Sequence, residues 1–240
     1  MQSITEETTI GEIVRAVPAY ARIFDSLGID YCCGGKIALA QACGQRGLDL
    51  STVIAMFSAI DGVADASLPD VDLMSLSGLC DHIRTTHHAY LREELPRLDF
   101  MAKKVAAVHG EHEPRLLEIR DLFEAFYAMV ASHTRQEDEN IFPEISKLDA
   151  ASGEGSKAEL ALKPLLDGLE EEHERTGAAL LRFQELTDRY APPEWACNTF
   201  RAFYDGLARL EADTHQHVHK ENNVLFPKAL AAVAGSGSGD

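Results

Sequence analysis

Two stretches of this chain place metal-binding side chains in one repeated frame. His133-Thr-Arg-Gln-Glu137-Asp-Glu-Asn-Ile-Phe142-Pro143 and His217-Val-His-Lys-Glu221-Asn-Asn-Val-Leu-Phe226-Pro227 both read H-x3-E-x4-F-P, with His, Glu, Phe and Pro all recurring at an offset of 84 residues. On a helix, a histidine and a glutamate four apart lie one above the other on one face, as two ligands of a single metal site must. A lone H-x3-E is a weak signal. Two of them in longer matching frames point to a duplicated site.

Each half adds a lone histidine. Leu91, Leu95, Leu98, Ala102 and Val105 step by three and four, and three back from Leu91 lies His88, which places His88 on a core face. His87 is the neighbouring alternative, and the downstream series fits His88 better. Leu162, Leu166, Leu169 and Leu180 place His173 on a second apolar face. His88 precedes His133 by 45 residues and His173 precedes His217 by 44, so each half reads as a helical hairpin with matching ligand positions.

Six inward ligands result: His88, His133, Glu137, His173, His217 and Glu221. Imidazole and carboxylate together suit iron, manganese or zinc, and the absence of cysteine from the set argues against structural zinc or an iron-sulfur cluster. Two carboxylates bridging two metals, each metal also holding two histidines, leave a position for a bridging oxygen or a small ligand, and a diiron site is the preferred assignment. The competing explanation is a set of hydrogen-bonded core residues without metal. It must bury six ionisable groups at matched levels, at several kcal/mol each where unpaired.

The other histidines fit less well. His215 and His219 share a face with each other and not with His217, so they are expected to be exposed. His109 lies in the register of His88 but about 30 Å along a continuous helix, too far for the same centre. His82 and His112 suggest only polar surface roles. Cys32 and Cys33 are adjacent, with Cα atoms about 3.8 Å apart, so a bond between them would be strained and reducible. A redox, metal-handling or partner-docking role and a plain tight turn both account for them. Cys43, Cys80 and Cys197 are isolated and read as core.

Helices must position these groups. Thr9-Ile-Gly-Glu12 has the form of a capping box, and Ile13, Val17, Ile23, Phe24 and Leu27 continue at helical spacing to Gly28, predicting a helix of about four to five turns. Paired glycines after Cys33 mark a turn, and short helical patterns follow to Ile60. Residues 1–61 thus form a small helical domain, 62–76 a linker, 77–231 four long amphipathic helices and 232–240 a flexible tail. The fourth helix alternates steps of three and four through Phe200, Phe203, Leu207, Leu210, Thr214, His217, Glu221 and Val224. The fold class is all-α, an antiparallel four-helix bundle with ligands at one level of its core. Pro96, Pro143, Pro164 and Pro227 are expected to kink helices rather than end them.

The 240 residues suit one large and one small domain. A net charge of -17 argues against a nucleic-acid partner. No signal peptide is apparent, and no apolar run approaches the roughly 18 residues of a membrane helix. A soluble, cytoplasmic protein without membrane partners is expected. The five cysteines read as thiols rather than a disulfide framework.

Asp30-Tyr31-Cys32-Cys33-Gly34-Gly35-Lys36 and Glu221-Asn-Asn-Val-Leu-Phe-Pro227 resemble the iron-sulfur cluster repair diiron proteins, the repair-of-iron-centres (RIC) family, over nearly the whole chain. The resemblance implies a hemerythrin-like bundle whose ligands fall on the same six residues, with His109 matching a further family histidine. It also implies two oxo- or hydroxo-bridged iron ions, and protection or repair of iron-sulfur clusters under nitrosative or oxidative stress, by nitric oxide reduction or iron donation. Damaged iron-sulfur proteins, nitric oxide or oxygen, and an unidentified electron donor are the implied partners. Hemerythrins resemble the bundle but use five histidines, so four here favour reactivity over oxygen carriage; a hemerythrin-like oxygen-binding or sensing protein is the alternative. A homodimer is also expected, because the small first domain has little core of its own.

Overall fold

The computed structural model describes residues 4–60, 70–149 and 155–235. Among them there is no strand, only a single antiparallel bridge between Thr9 and Ala38. The first domain comprises α1 (Ile10–Ala16), α2 (Ala21–Leu27), α3 (Leu39–Arg46) and α4 (Leu50–Ile60). The capping box forms: the Thr9 hydroxyl accepts from the Glu12 N–H, and the Glu12 carboxylate accepts from the Thr9 N–H. The single opening helix does not. Val17 leaves the helical region (φ -140, ψ 88) because the Pro18 ring behind it crowds that conformation, and a 3-10 turn over Pro18–Tyr20 separates α1 from α2. Gly28 (φ 67) ends α2 in the left-handed conformation. The domain builds its own apolar cluster around Phe24, Tyr31, Leu39 and Phe57, with Tyr20 stacked on Phe57 at 4.6 Å.

The bundle follows. Its first helix is α5 (Leu76–Ile83), a π turn at Arg84–His88, and α6 (Ala89–His109). Its second is α7 (Arg115–Gln136), a π turn at Glu137–Ile141, and α8 (Phe142–Lys147); its third is α9 (Gly155–Leu186). The fourth is α10 (Asn198–Lys220), a π turn at Glu221–Leu225, and α11 (Phe226–Gly235). Pro96 and Pro164 lie inside continuous helices, whereas Pro143 and Pro227 each follow a π turn with one residue between. The third helix ends before Pro192-Pro193, as expected. The chain then passes through three left-handed residues, Asp188, Arg189 and Tyr190, at about 1–2 kcal/mol each, with the Tyr190 N–H held by the Thr187 hydroxyl at 2.9 Å.

Residues 61–69 of the expected linker lie outside the described part. Its end is fastened to the bundle: Val71 is buried in the core cluster, and Lys228 Nζ donates to the Asp72 and Met74 carbonyls at 3.0 and 2.7 Å. The expected tail also differs. α11 continues to Gly235 because Val233, one turn beyond Ala229, extends the buried stripe; residues 236–240 lie outside the described part.

Two apolar clusters fill the bundle. One joins Leu91, Leu98, Phe123, Phe126, Phe183, Phe203 and Leu207, and the other Leu79, Ile83, Phe142, Leu166, Leu169, Val224 and Phe226. The polar level lies between them. The first domain docks on the fourth helix, where Gln216 Nε2 donates to Tyr31 Oη at 3.0 Å and Asn223 Nδ2 to the Cys32 carbonyl at 3.0 Å. Gly35 is pressed into this contact: a Cβ there would lie 2.5 Å from Asn223 Oδ1 and 2.7 Å from the Tyr31 carbonyl. Gly35→Ala should therefore lower stability by about 1–3 kcal/mol in thermal unfolding. Gly44→Ala, in open space within α3, should raise it by about 0.5–1 kcal/mol.

Candidate metal centre

The repeated frame has a backbone explanation. In each π turn the Phe N–H bonds back to the Glu carbonyl five residues earlier, Phe142 to Glu137 and Phe226 to Glu221. The E-x4-F spacing is that hydrogen bond, and the widened turn meets a proline that has no N–H for the ordinary ladder. The phenylalanines also stack on the lone histidines, Phe142 on His88 at 5.4 Å and Phe226 on His173 at 6.1 Å. The third π turn joins an upstream stripe leading to His87 with a downstream stripe starting at His88, so both are buried, and only His88 falls within the clustered donor atoms.

The structure brings all six expected ligands together. Donor atoms of His88, Glu137, His217 and Glu221 lie within 4.8 Å of one another, as do those of His133, Glu137, His173 and Glu221. The two glutamates are common to both groups. Each histidine pair takes one member from each half of the repeat: His88 Nε2 faces His217 Nε2 at 3.0 Å, and His133 Nε2 faces His173 Nε2 at 3.0 Å. Two donors at about 2.1 Å from a six-coordinate ion, at right angles, are about 3.0 Å apart. His133 Nε2 is 3.3 Å from Glu137 Oε1, and His217 Nε2 is 2.9 Å from Glu221 Oε1. Glu137 and Glu221 are fully buried, and their oxygens face only histidine Nε2 atoms: Glu221 Oε2 lies 3.1 Å from His173 and Glu137 Oε2 lies 3.4 Å from His88. Two buried carboxylates that face only imidazole nitrogens are costly without a positive charge, and these residues would hold a cation that supplies it.

The outer nitrogens are fixed from behind. His88 Nδ1 donates to Asp138 Oδ1 at 2.9 Å, His133 Nδ1 to Glu172 Oε2 at 2.7 Å, and His173 Nδ1 to Asn222 Oδ1 at 2.8 Å. That tautomer turns each Nε2 lone pair into the site. Sequence reasoning missed Asp138, Glu172 and Asn222, although a signal existed: Asp138 and Asn222 follow the two glutamates at the same 84-residue offset.

Comparison with known proteins supplies the family. Residues 81–229 match the hemerythrin HHE cation binding domain, and residues 6–61 match ScdA_N, a domain of unknown function. The iron-sulfur cluster repair protein ScdA of Staphylococcus haemolyticus is 35% identical over 94% of this chain and 99% of its own. The repair protein YtfE of Pectobacterium atrosepticum is 33% identical over 93% and 97%, and that of Yersinia pseudotuberculosis 34% over 92% and 96%. This chain belongs to the ScdA/YtfE family of iron-sulfur cluster repair proteins. Its bundle is accordingly a cation-binding domain of hemerythrin type, and the buried histidines and glutamates suit that role.

The remaining histidines of this family member correct several expectations. His215 and His219 are not exposed: the face they share, away from His217, is where the first domain docks. His215 Nδ1 donates to Asp25 Oδ1 at 3.0 Å, and His219 lies 4% exposed with Nδ1 3.4 Å from the Tyr31 carbonyl. His87 stacks on His217 at 5.4 Å and donates to Asp213 at 2.8 Å, while Lys220 Nζ reaches His87 Nε2 at 2.7 Å and His82 Nε2 at 3.1 Å. His82 is therefore half-buried beside the site, not a plain surface residue. His109 contacts Cys197 at 3.3 Å and Trp195 at the far end of the bundle, and His112 packs edge-on against Trp195. Cys43 and Cys80 are buried as expected, but Cys197 is exposed, at the start of α10.

Charge in the site is finely balanced. Burial works against a proton on His88 and His133, but contacts with Asp138 and Glu137 raise His88 to about 9, and Glu137 raises His133 to about 10. Burial and mutual repulsion push the glutamates up, yet the histidines hold both below the usual carboxylate range. An entering cation displaces the histidine protons, so affinity should rise as pH climbs from neutrality toward about 9, by about tenfold per unit for each proton released, measured by chelator competition. Glu137→Ala should lose bound metal. Asp138→Ala should retain it with affinity lowered about 10–100-fold, and His215→Ala should match the parent, all measured by metal analysis and competition.

Proposed function

We propose that the centre holds two iron ions and that the protein protects or repairs iron-sulfur clusters damaged by nitrosative or oxidative stress. The observation that carries this reading is the pair of fully buried glutamates shared between two histidine pairs. The names of the relatives support it. Two ferrous ions held there would supply two electrons, enough to convert two nitric oxide molecules and two protons to nitrous oxide and water, and the same iron would be available for donation to a damaged cluster.

The residues do the positioning. His88 and His217 hold one side of the centre and His133 and His173 the other, with Glu137 and Glu221 between them. Phe142 and Phe226 cover two of the rings and exclude water. Lys220 donates to His87 and His82, forming a line of exchangeable protons from beside His217 to the half-buried edge of the bundle. We place the protein in the cytoplasm, acting on damaged iron-sulfur proteins with electrons from a separate donor; no helix among the described residues is long and apolar enough to cross a membrane.

The test is metal analysis followed by anaerobic titration of the reduced protein with nitric oxide. Two irons per chain and nitrous oxide at about half the nitric oxide consumed are expected. Reversible binding of nitric oxide or oxygen without product would overturn nitric oxide reduction in favour of an oxygen-binding or sensing protein.

A further inference from the structure

Outside the bundle centre, the described residues hold one more cluster of metal-binding side chains, Asp30, Cys32 and Cys33, in the first domain. These three residues line a cleft of about 530 Å³ between that domain and the bundle. The Cys32 and Cys33 sulfurs are 3.8 Å apart, and Asp30 Oδ1 lies 3.1 Å from the Cys32 sulfur. The carboxylate is held in place by the N–H groups of both cysteines at 2.9 Å each. A tetrahedral ion with metal–sulfur bonds of about 2.3 Å needs its sulfurs about 3.8 Å apart.

We propose that Asp30, Cys32 and Cys33 form a second binding site, separate from the bundle centre, for a thiolate-seeking divalent transition metal of the ferrous or zinc class. Binding converts the ion and two thiols into a dithiolate complex and releases two protons to solvent, with no change of oxidation state. The cleft leaves room for a fourth ligand. Asp25, Glu174 and Glu211 add negative charge around it, against Arg46 and Arg189. The Cys32 thiol is held protonated by its contact with Cys33, by burial and by Asp30, a crowding that a cation relieves. Dithiol redox chemistry fits less well: a bond between adjacent cysteines is strained, which makes the dithiol a weak reductant.

This site touches the bundle. Asn222 Nδ2 donates to the Cys32 carbonyl at 3.4 Å while its Oδ1 holds His173 at 2.8 Å. The Cys33 sulfur lies 3.9 Å from where a Cβ on Gly177 would be, one helical turn beyond His173. Use of the second site to pass iron to or from the centre rests on the iron-donation reading; its occupancy does not.

The experiment uses the full, metal-loaded, reduced chain, titrated anaerobically with cobalt(II) in the presence of a non-thiol reductant. One further equivalent should bind with thiolate-to-cobalt charge-transfer absorption, and the Cys32→Ser/Cys33→Ser chain should lose that absorption while keeping its bundle metal. Glu137→Ala, which disables the centre, should keep it, so failure of the bundle reading is distinguishable from failure of this one. Without any variant, bound cobalt should shield Cys33 from alkylation while exposed Cys197 still reacts. Absence of the absorption in the parent, its persistence in the double variant, its loss in Glu137→Ala, or unchanged alkylation of Cys33 would overturn the proposal.

Discussion

Two carboxylates, Glu137 and Glu221, lie fully buried at the middle of a helical bundle, and the remaining architecture is a response to that placement. Burying one ionised carboxylate without compensation costs several kcal/mol, and two facing each other cost more through mutual repulsion. Four histidines close the site around them, and three of the four are held from behind by Asp138, Glu172 and Asn222. Asp138 is in turn bound by Arg84 and Arg92, each at 3.1 Å, which carries the charge balance out to solvent. Apolar clusters above and below confine the polar level to one thin layer.

The π turns make this layer compatible with continuous helices. A regular helix delivers one inward residue every three or four positions, too few to present ligand, stacking ring and core anchor at one level. The turn beginning at each glutamate brings Phe142 or Phe226 round onto a histidine of the neighbouring helix. The turn ending at His88 buries two consecutive histidines, one facing the glutamates and one facing Asp213 and Lys220.

The first domain is joined to the centre through Asn222 and Asn223. Both amides reach the Cys32 carbonyl, and Asn222 also orients His173. A change at the cysteines is thus one hydrogen-bonded side chain away from a ligand. Hydrogen bonds to buried groups in a low-dielectric setting transmit such changes better than exposed ones.

Much was legible in the sequence. The 84-residue repeat and the apolar stripes pointed to the four-helix bundle and to the six side chains that it brings together, because helical periodicity ties spacing to face. The same reasoning failed where that periodicity ends. Pro18 split the first helix, Val233 carried the last one into the expected tail, and the π turn at His88 lay beyond any reading that assumes a regular helix. Only the tertiary structure decided that each histidine pair draws on both halves of the repeat, that Asp138, Glu172 and Asn222 stand behind the ligands, and that His215 and His219 face a docked domain. Spacing along one helix determines which residues share a face. Which faces meet depends on how separate helices pack, and that is set by the whole core rather than by any one segment.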